Sequence, residues 1–486
     1  MFKLNTFFSR IMNIDAIKRQ SIVSFIWQVA LTFIGFLSTI YFTHTVGASV
    51  LGGYFLFIAY ISVINLVADG GFGDAAIKRI SEGEEQSEYF SAFTILRFFF
   101  VMIVVLVLIV FRKYFVDLND SGTFIWLILA LIVGIFYGSV ASGILGCAKI
   151  GIAATTSFIN NISRIIFQII AVALGYGISG LAGGFVVGLF VSALMQLYFF
   201  DLRFVPFKLK HLKNLANFSI WIFLISSGSI VFSTADTIMI GYFLSNADVG
   251  IYRVVLQFTL LATFMTVVLR STLYPRVSRW DKTGDIVSIE ASLSKAFTYS
   301  LILAIPMTIG GFVLGDKLLY FFYGGDFDNG YWTMNVLFIV QIINIFCYFF
   351  TTYLTAMNQL KNLFTVTVAS VIANISLNAL LIPLIGILGA AIATLATMTL
   401  NAFLAMIILS KILQIRIETD SLLNILKASF VMGFLLIGYR MLIPLENVWL
   451  TLIPVALGGA LYMTLIIKLD RKINADLKGV MLQMIS

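Results

Sequence analysis

The stretch Tyr89–Phe111 reads YFSAFTILRFFFVMIVVLVLIVF, and the 14 residues after Arg97 carry no polar side chain. The run has neither the period of a half-buried strand nor the polar stripe of a surface helix, so a helix here must be hidden from water on every side. At ~1.5 Å per residue it extends about 34 Å, enough to cross a hydrocarbon core of ~30 Å. It reads as a membrane-spanning helix.

The rest of the 486 residues agree: 60% are hydrophobic and 11% charged. Soluble domains run near ~45–50% and ~25%, so a water-soluble globule is excluded. Continuous long runs exclude a β-barrel, whose strands alternate. We read an all-α polytopic membrane protein with about fourteen spans: 17–43, 51–68, 89–111, 123–145, 151–174, 179–200, 216–243, 249–270, 292–314, 332–355, 362–383, 387–410, 422–442 and 447–468. The pairs within 151–200 and 362–410 are separated only by short Gly-containing turns. Ile17–Phe42 is too long for a signal-peptide core, so no cleavable signal is expected.

The positive charge points to one orientation. Of 31 Lys and Arg, 24 fall on the side of the N-terminus, four on the other (Arg112, Lys113, Lys317, Arg440), and three inside spans (Arg97, Arg164, Arg253). Both termini are therefore expected in the cytoplasm, and the net +8 is expected to face anionic lipid rather than nucleic acid. Two cysteines and two histidines exclude a disulfide framework and a Cys/His metal site.

The chain looks duplicated. Ser21–Phe55 laid over Ser219–Arg253 gives seven identities in 35, including Thr39/Thr237 and Tyr54/Tyr252. Asn161-Ile162-Ser163 followed by Gly177-Ile178-Ser179-Gly180 corresponds to Asn374-Ile375-Ser376 followed by Gly386-Ile387-Leu388-Gly389. The expected organisation is a cytoplasmic segment 1–16, an N-lobe 17–200, a basic cytoplasmic linker 201–215, a C-lobe 216–410, and two further helices with a tail over 411–486. Parallel repeats of six helices predict a pseudo-two-fold axis along the membrane normal and a substrate path between the lobes, a transporter's design.

Short motifs recur in a recognisable order. They are Val46-Gly47-x3-Leu51-Gly52-Gly53-Tyr54, Ala68-Asp69-Gly70-Gly71-Phe72-Gly73-x4-Lys78-Arg79 and Asp236-Thr237-Ile238-Met239-Ile240-Gly241-Tyr242 with Val249-Gly250-Ile251-Tyr252. Tyr274-Pro275-Arg276, Phe322-Tyr323-Gly324 and Asn378-x4-Pro383-x2-Gly386-Ile387-x-Gly389 follow. In order and spacing the chain resembles the Wzx-type polysaccharide flippases of the multidrug/oligosaccharidyl-lipid/polysaccharide exporter superfamily. The resemblance implies two six-helix bundles in a V plus two C-terminal helices. It also implies a polyprenyl-pyrophosphate-linked oligosaccharide as substrate, moved outward across the plasma membrane by alternating access. No enzymatic activity or resident cofactor is expected. A coupling ion, H+ or Na+, a monomer, and a neighbouring polymerase and glycosyltransferases are the accompanying expectations.

A lipid-linked pyrophosphate needs fixed cations, and arginine's planar fork suits it. A charge inside the membrane costs at least ~2.5–3.5 kcal/mol, so each has a reason to be there. Arg164 is the deepest, about 20 Å into its span at ~1.5 Å per residue. Asn160, Arg164 and Gln168 share a helix face and are read as a substrate-binding stripe. Arg253 and Arg97 join them as candidate ligands. Arg97 could instead reach back to the headgroups, and Arg253 could instead pair with Asp236, which lies at similar depth. Asp236 is otherwise the candidate ion site. Asp69, Asp74, Lys78 and Arg79, at the inner end of span two, form a candidate gate whose plainer reading is solvated loop charge. The glycines at 70, 71 and 73 are no phosphate loop, because no Gly-Lys-Ser/Thr follows.

A multidrug/cation antiporter of the same superfamily is the first alternative. It fits less well, because span one holds Gln28 and no carboxylate, and arginine dominates the buried charge. A lipid II flippase is the second. It shares the pyrophosphate but usually carries more cations in its first two helices.

Overall fold

The computed structural model describes residues 16–115, 118–119 and 121–476. Most of the N-terminal segment 1–16 and the end of the C-terminal tail lie outside these. Among the described residues the chain is helical, with no strand. Backbone groups in lipid must be satisfied within their own segment, which leaves the helix as the solution for long apolar runs.

The helices are α1 (Ala16–Asp69), α2 (Phe72–Ser81), α3 (Gln86–Val110), α4 (Phe124–Gly146), α5 (Ile150–Ala173), α6 (Gly177–Tyr198), α7 (Leu209–Phe243), α8 (Asn246–Thr259), α9 (Phe264–Thr283), α10 (Ile286–Tyr323), α11 (Tyr331–Ala356), α12 (Leu360–Leu409), α13 (Thr419–Leu442) and α14 (Val448–Leu469). Eleven stretches among the described residues are long and apolar enough to cross a membrane.

The expected number was fourteen, and the difference has local causes. Spans one and two run on as α1, broken only at Gly47, whose φ of 74° is open to glycine. Spans eleven and twelve run on as α12, broken at Ile385 and Gly386, just after Pro383. Span seven lies within the single helix α7. Span eight remains one stretch, Asn246–Thr283, in which a 3-10 turn, Leu260–Thr263, joins α8 to α9.

The break in α12 is a reversal. Asn401 Nδ2 lies 3.0 Å from Ser370 Oγ. On a straight helix those residues would stand about 46 Å apart. The two arms press so closely that a Cβ on Gly389 would fall 2.3 Å from the Leu381 carbonyl oxygen.

The chain divides into two compact units, Met1–Thr234 and Ala235–Ser486. Unit 1 packs α5 on α6, α4 on α6 and α1 on α5. At one end the short amphipathic α2 buries Phe72, Ala75, Ala76 and Ile80 with Tyr89, Phe90 and Phe93 of α3 and Leu215 of α7. Unit 2 packs α11 on α12, and α10 on both α11 and α13, with Phe297 set among the rings of Phe346, Phe349 and Phe350.

Candidate functional site

Unit 1 holds an ion pair where α1 ends, its arginine buried and its aspartate half-buried. Arg97 Nη1 of α3 donates to Asp69 Oδ1 at 2.7 Å, and Nη2 to Asn65 Oδ1 at 3.4 Å. The second carboxylate oxygen of Asp69 accepts the Gly73 N–H at 3.1 Å, at the start of α2. Gly138 of α4 makes room: a Cβ there would lie 2.4 Å from the guanidinium carbon. Arg97 is buried, and its side chain turns onto Asp69 rather than along the helix toward headgroups. One carboxylate thus ties α1, α2 and α3 together.

The other members of the expected gate sit on α2. Lys78 Nζ lies 3.8 Å from the centre of the Phe218 ring, and Arg79 pairs with Glu82 at 3.0 Å. Asp74 is in the first turn of α2, where its negative charge suits the helix dipole. The group is an ordered helix against a hydrophobic core, not a loose charged loop.

The stripe Asn160–Arg164–Gln168 of α5 faces α6. Gln168 is buried and donates to the Leu181 carbonyl at 2.8 Å. A Cβ on Gly184 would meet its Cγ at 2.5 Å, and one on Gly188 would meet the Arg164 Cβ and the Asn160 carbonyl at 2.9 Å. Gln168 therefore fastens α5 to α6. Arg164 differs. It is half-buried, its Nε is shut off from solvent without a hydrogen bond, and no described residue bonds or pairs with its guanidinium. Its Cβ is anchored against α6 while its charge has no counter-ion among the described residues.

Unit 2 holds the complementary case, a buried carboxylate. Asp236 of α7 accepts from Tyr252 Oη of α8 and Thr394 Oγ1 of α12, both at 2.7 Å on Oδ2. On Oδ1 it accepts from Asn378 Nδ2 at 2.6 Å and Asn374 Nδ2 at 3.4 Å. All four donors are neutral. Among the described residues no Lys, Arg or His nitrogen comes within 4.0 Å of it. The residue that reaches Asp236 is Tyr252, one position before the half-buried Arg253. A carboxylate solvated by neutral dipoles can take up a proton or a small monovalent cation, and the buried Asn378 Oδ1, which has no hydrogen-bond partner, is a further oxygen beside it. Among the described residues no group of three or more His, Cys, Asp or Glu could hold a metal.

Tyr252, Asn374, Asn378 and Thr394 were not singled out as site residues from sequence. The signal was present: two asparagines one turn apart in an apolar span, which lipid disfavours unless they have partners.

Residues 17–280 match the family of polysaccharide biosynthesis proteins. The probable low-salt glycan biosynthesis flippase Agl15 of Haloferax volcanii is 27% identical over 341 residues, 70% of this chain and 72% of that protein. The probable flippase AglR of the same organism is 25% identical over 350 residues, with the same coverage of 70% and 72%. Among solved structures, the lipid II flippase MurJ in its inward closed conformation matches with a TM-score of 0.76 at 17% identity, over 93% of this chain and 99% of that one. An inward-facing multidrug resistance MATE family transporter of the MOP superfamily matches with a TM-score of 0.63 at 13% identity, over 78% and 93%. The fold is thus a multi-pass membrane transporter's rather than an enzyme's, and by sequence the chain belongs to the polysaccharide biosynthesis protein family.

Proposed function

We propose that the chain is an ion-coupled flippase that moves a polyprenyl-pyrophosphate-linked oligosaccharide from the cytoplasmic to the outer leaflet of the plasma membrane by alternating access. The observation that carries this reading is Arg164, a cation within a span with no counter-ion among the described residues. A lone charge in such a place is unfavourable until something anionic arrives. A pyrophosphate supplies that charge, and its oxygens match the arginine fork. Arg253, in the other unit, is a second pyrophosphate contact at a different stage of transport. Asp236 binds the coupling ion, because its hydrogen-bonding shell is made of neutral amide and hydroxyl groups whose oxygens can turn to a cation. The termini lie in the cytoplasm, and a reporter active only outside should give signal at 244–248 and none at 205–213.

The experiment is reconstitution of the full chain in vesicles with a fluorescent polyprenyl-pyrophosphate oligosaccharide, reading its appearance in the far leaflet. Transport is expected with the sugar-linked pyrophosphate and not with a cationic dye. Transport of the dye alone would move the chain to the antiporter class.

A further inference from the structure

The two arms of α12 meet along a file of uncharged polar side chains. Ser370, Asn374 and Asn378 recur every fourth residue on the first arm, and Thr394, Thr397 and Asn401 recur at three and four on the second. They bond to each other across the reversal. Asn401 Nδ2 donates to Ser370 Oγ at 3.0 Å, and Asn374 Nδ2 to Thr397 Oγ1 at 3.4 Å. Asn378 Nδ2 reaches Asn374 Oδ1 at 3.1 Å, and Asp236 closes the file through Asn378 and Thr394. Ser370, Asn374, Asn378 and Thr397 are buried, while Asn401 is half-buried. From Asn378 to Ser370 is eight residues, about 12 Å along the helix.

The repeat in unit 1 shows that packing does not require this file. The counterparts of Ser370, Asn374 and Asn378 are Ser157, Asn161 and Ile165; those of Thr394, Thr397 and Asn401 are Phe185, Gly188 and Ser192. There Asn161 donates to the Ser157 carbonyl and Ser192 to the Thr156 carbonyl, both backbone. Ser38 stands where unit 2 has Asp236. Polar side chains bonded to backbone fasten helices. In unit 2 Ser370 and Thr397 likewise donate to backbone carbonyls of their own arm, but the amides of Asn374, Asn378 and Asn401 bond to side chains, and those of Asn374 and Asn378 reach a carboxylate, which unit 1 lacks at Ser38.

The chemistry of the file selects what could travel along it. Proton relays in membranes use Asp, Glu and His, and beyond Asp236 the file has none. Carboxamide and hydroxyl oxygens are ligands for hard cations, and here they recur about every 5.4 Å, one helical turn. Resting on the reading of Asp236 as the coupling-ion site, we propose that this file is the route by which a small alkali cation of the sodium class passes between Asp236 and the Leu360/Leu409 end of α12. The Asn401–Ser370 pair is the last rung of the file toward that end, with Asn401 half-buried. Passage requires the side-chain bonds to open in turn, so that each amide or hydroxyl oxygen faces the ion.

The test uses the full chain, sodium as the probe, and two readouts: sodium-dependent melting in detergent, and exchange of radioactive sodium in vesicles. Asn401→Leu is expected to keep the sodium-dependent rise in melting temperature while exchange slows at least about tenfold. Asn401→Ser, which keeps an oxygen, should exchange close to the wild-type rate. Exchange at the wild-type rate in Asn401→Leu, or equal slowing in both variants, overturns the route. Asp236→Asn is expected to lose both readouts, and if it keeps the sodium-dependent melting shift, the ion site itself is misassigned. Should Asn401→Leu fail to accumulate, Asn401→Cys in a chain lacking Cys147 and Cys347 replaces it. Sodium should then slow its labelling by a small cationic thiol reagent, and labelling indifferent to sodium overturns the route.

Discussion

Asn378 places its Nδ2 2.6 Å from Oδ1 of Asp236, across 142 positions of chain. That contact, with those of Tyr252 and Thr394, gives the carboxylate a hydrogen-bonding shell of neutral donors, with the Arg253 charge close enough to act on it through space. Asp236→Asn tests its role in coupling. The new amide keeps an oxygen toward Asn378, and its NH2 meets two hydroxyls that rotate to accept. The fold should change by less than about 1 kcal/mol. Ion-driven accumulation of substrate should vanish while substrate binding persists. Asp236→Leu, by contrast, strands several buried donors at about 1–3 kcal/mol each and should accumulate poorly. Ion-driven accumulation at the normal level in Asp236→Asn would remove Asp236 from coupling.

Arg97 and Asp69 call for a double-mutant cycle. Removing one member leaves the other uncompensated, most severely when it is the buried Arg97 that is left, at a cost up to about 3–5 kcal/mol for a fully buried charge and less for the half-buried Asp69. Asp69→Asn and Arg97→Met should each lower the melting temperature sharply, and the double variant should be closer to wild type than their sum. Gly138→Ala should mimic the loss of Arg97, because its Cβ would occupy the space of the guanidinium. Additive effects would show that the pair is not coupled.

The spans were legible because continuous apolar runs leave one solution in lipid, and the breaks within α1 and α12 were legible because a glycine stands at each, Gly47 and Gly386. The charged residues were legible as positions but not as partners. Asp69 and Arg97 lie 28 residues apart on different helices, and nothing local announces their contact. Asp236 and Arg253 have similar depth in adjacent helices, so depth alone allows them to pair. Yet successive residues on a helix point about 100° apart, and it is Tyr252 that turns toward the carboxylate. The neutral donors of α12 carry no charge to draw attention, and their role emerges only when the arms fold together.

The junction between the linker and the first turn of α7 is held by Glu85. Lys210 Nζ meets Oε1 at 2.7 Å, and His211 Nε2 meets Oε2 at 3.1 Å, while His211 Nδ1 accepts the Lys208 N–H at 2.9 Å. The Lys210 hydrogen bond, then that of His211, holds the Glu85 carboxyl below its ordinary value, and Glu85 in turn raises Lys210. The contribution of a lowered carboxylate is complete above about pH 4.3 and is lost as pH falls through the lower folded value. That of the raised lysine is complete below about pH 10.4 and is lost above it. A spin label at Phe204→Cys should be constrained across that window and gain mobility toward pH 3. Glu85→Gln should speed tryptic cleavage after Lys208 and Lys210 at neutral pH, and an unchanged cleavage rate would show that Glu85 does not hold the linker.

Arg164 separates a ligand from a structural charge. Its Cβ packs against Gly188, and that contact survives in Arg164→Ala, so the helix pair α5–α6 should remain intact. What is lost is a guanidinium with no partner among the described residues. The Ala variant should therefore reach wild-type levels and melt no lower than wild type. Transport should fall about ten- to a hundredfold, the effect of one charge-assisted hydrogen bond of ~1.5–3 kcal/mol. Arg164→Lys keeps the charge and loses the fork, so it should fall between them. A structural arginine predicts the opposite pattern: poor accumulation of the Ala variant, and a Lys variant no better than Ala. Full transport by a normally accumulated Arg164→Ala chain would exclude the pyrophosphate contact and leave Arg253 as the remaining candidate cation.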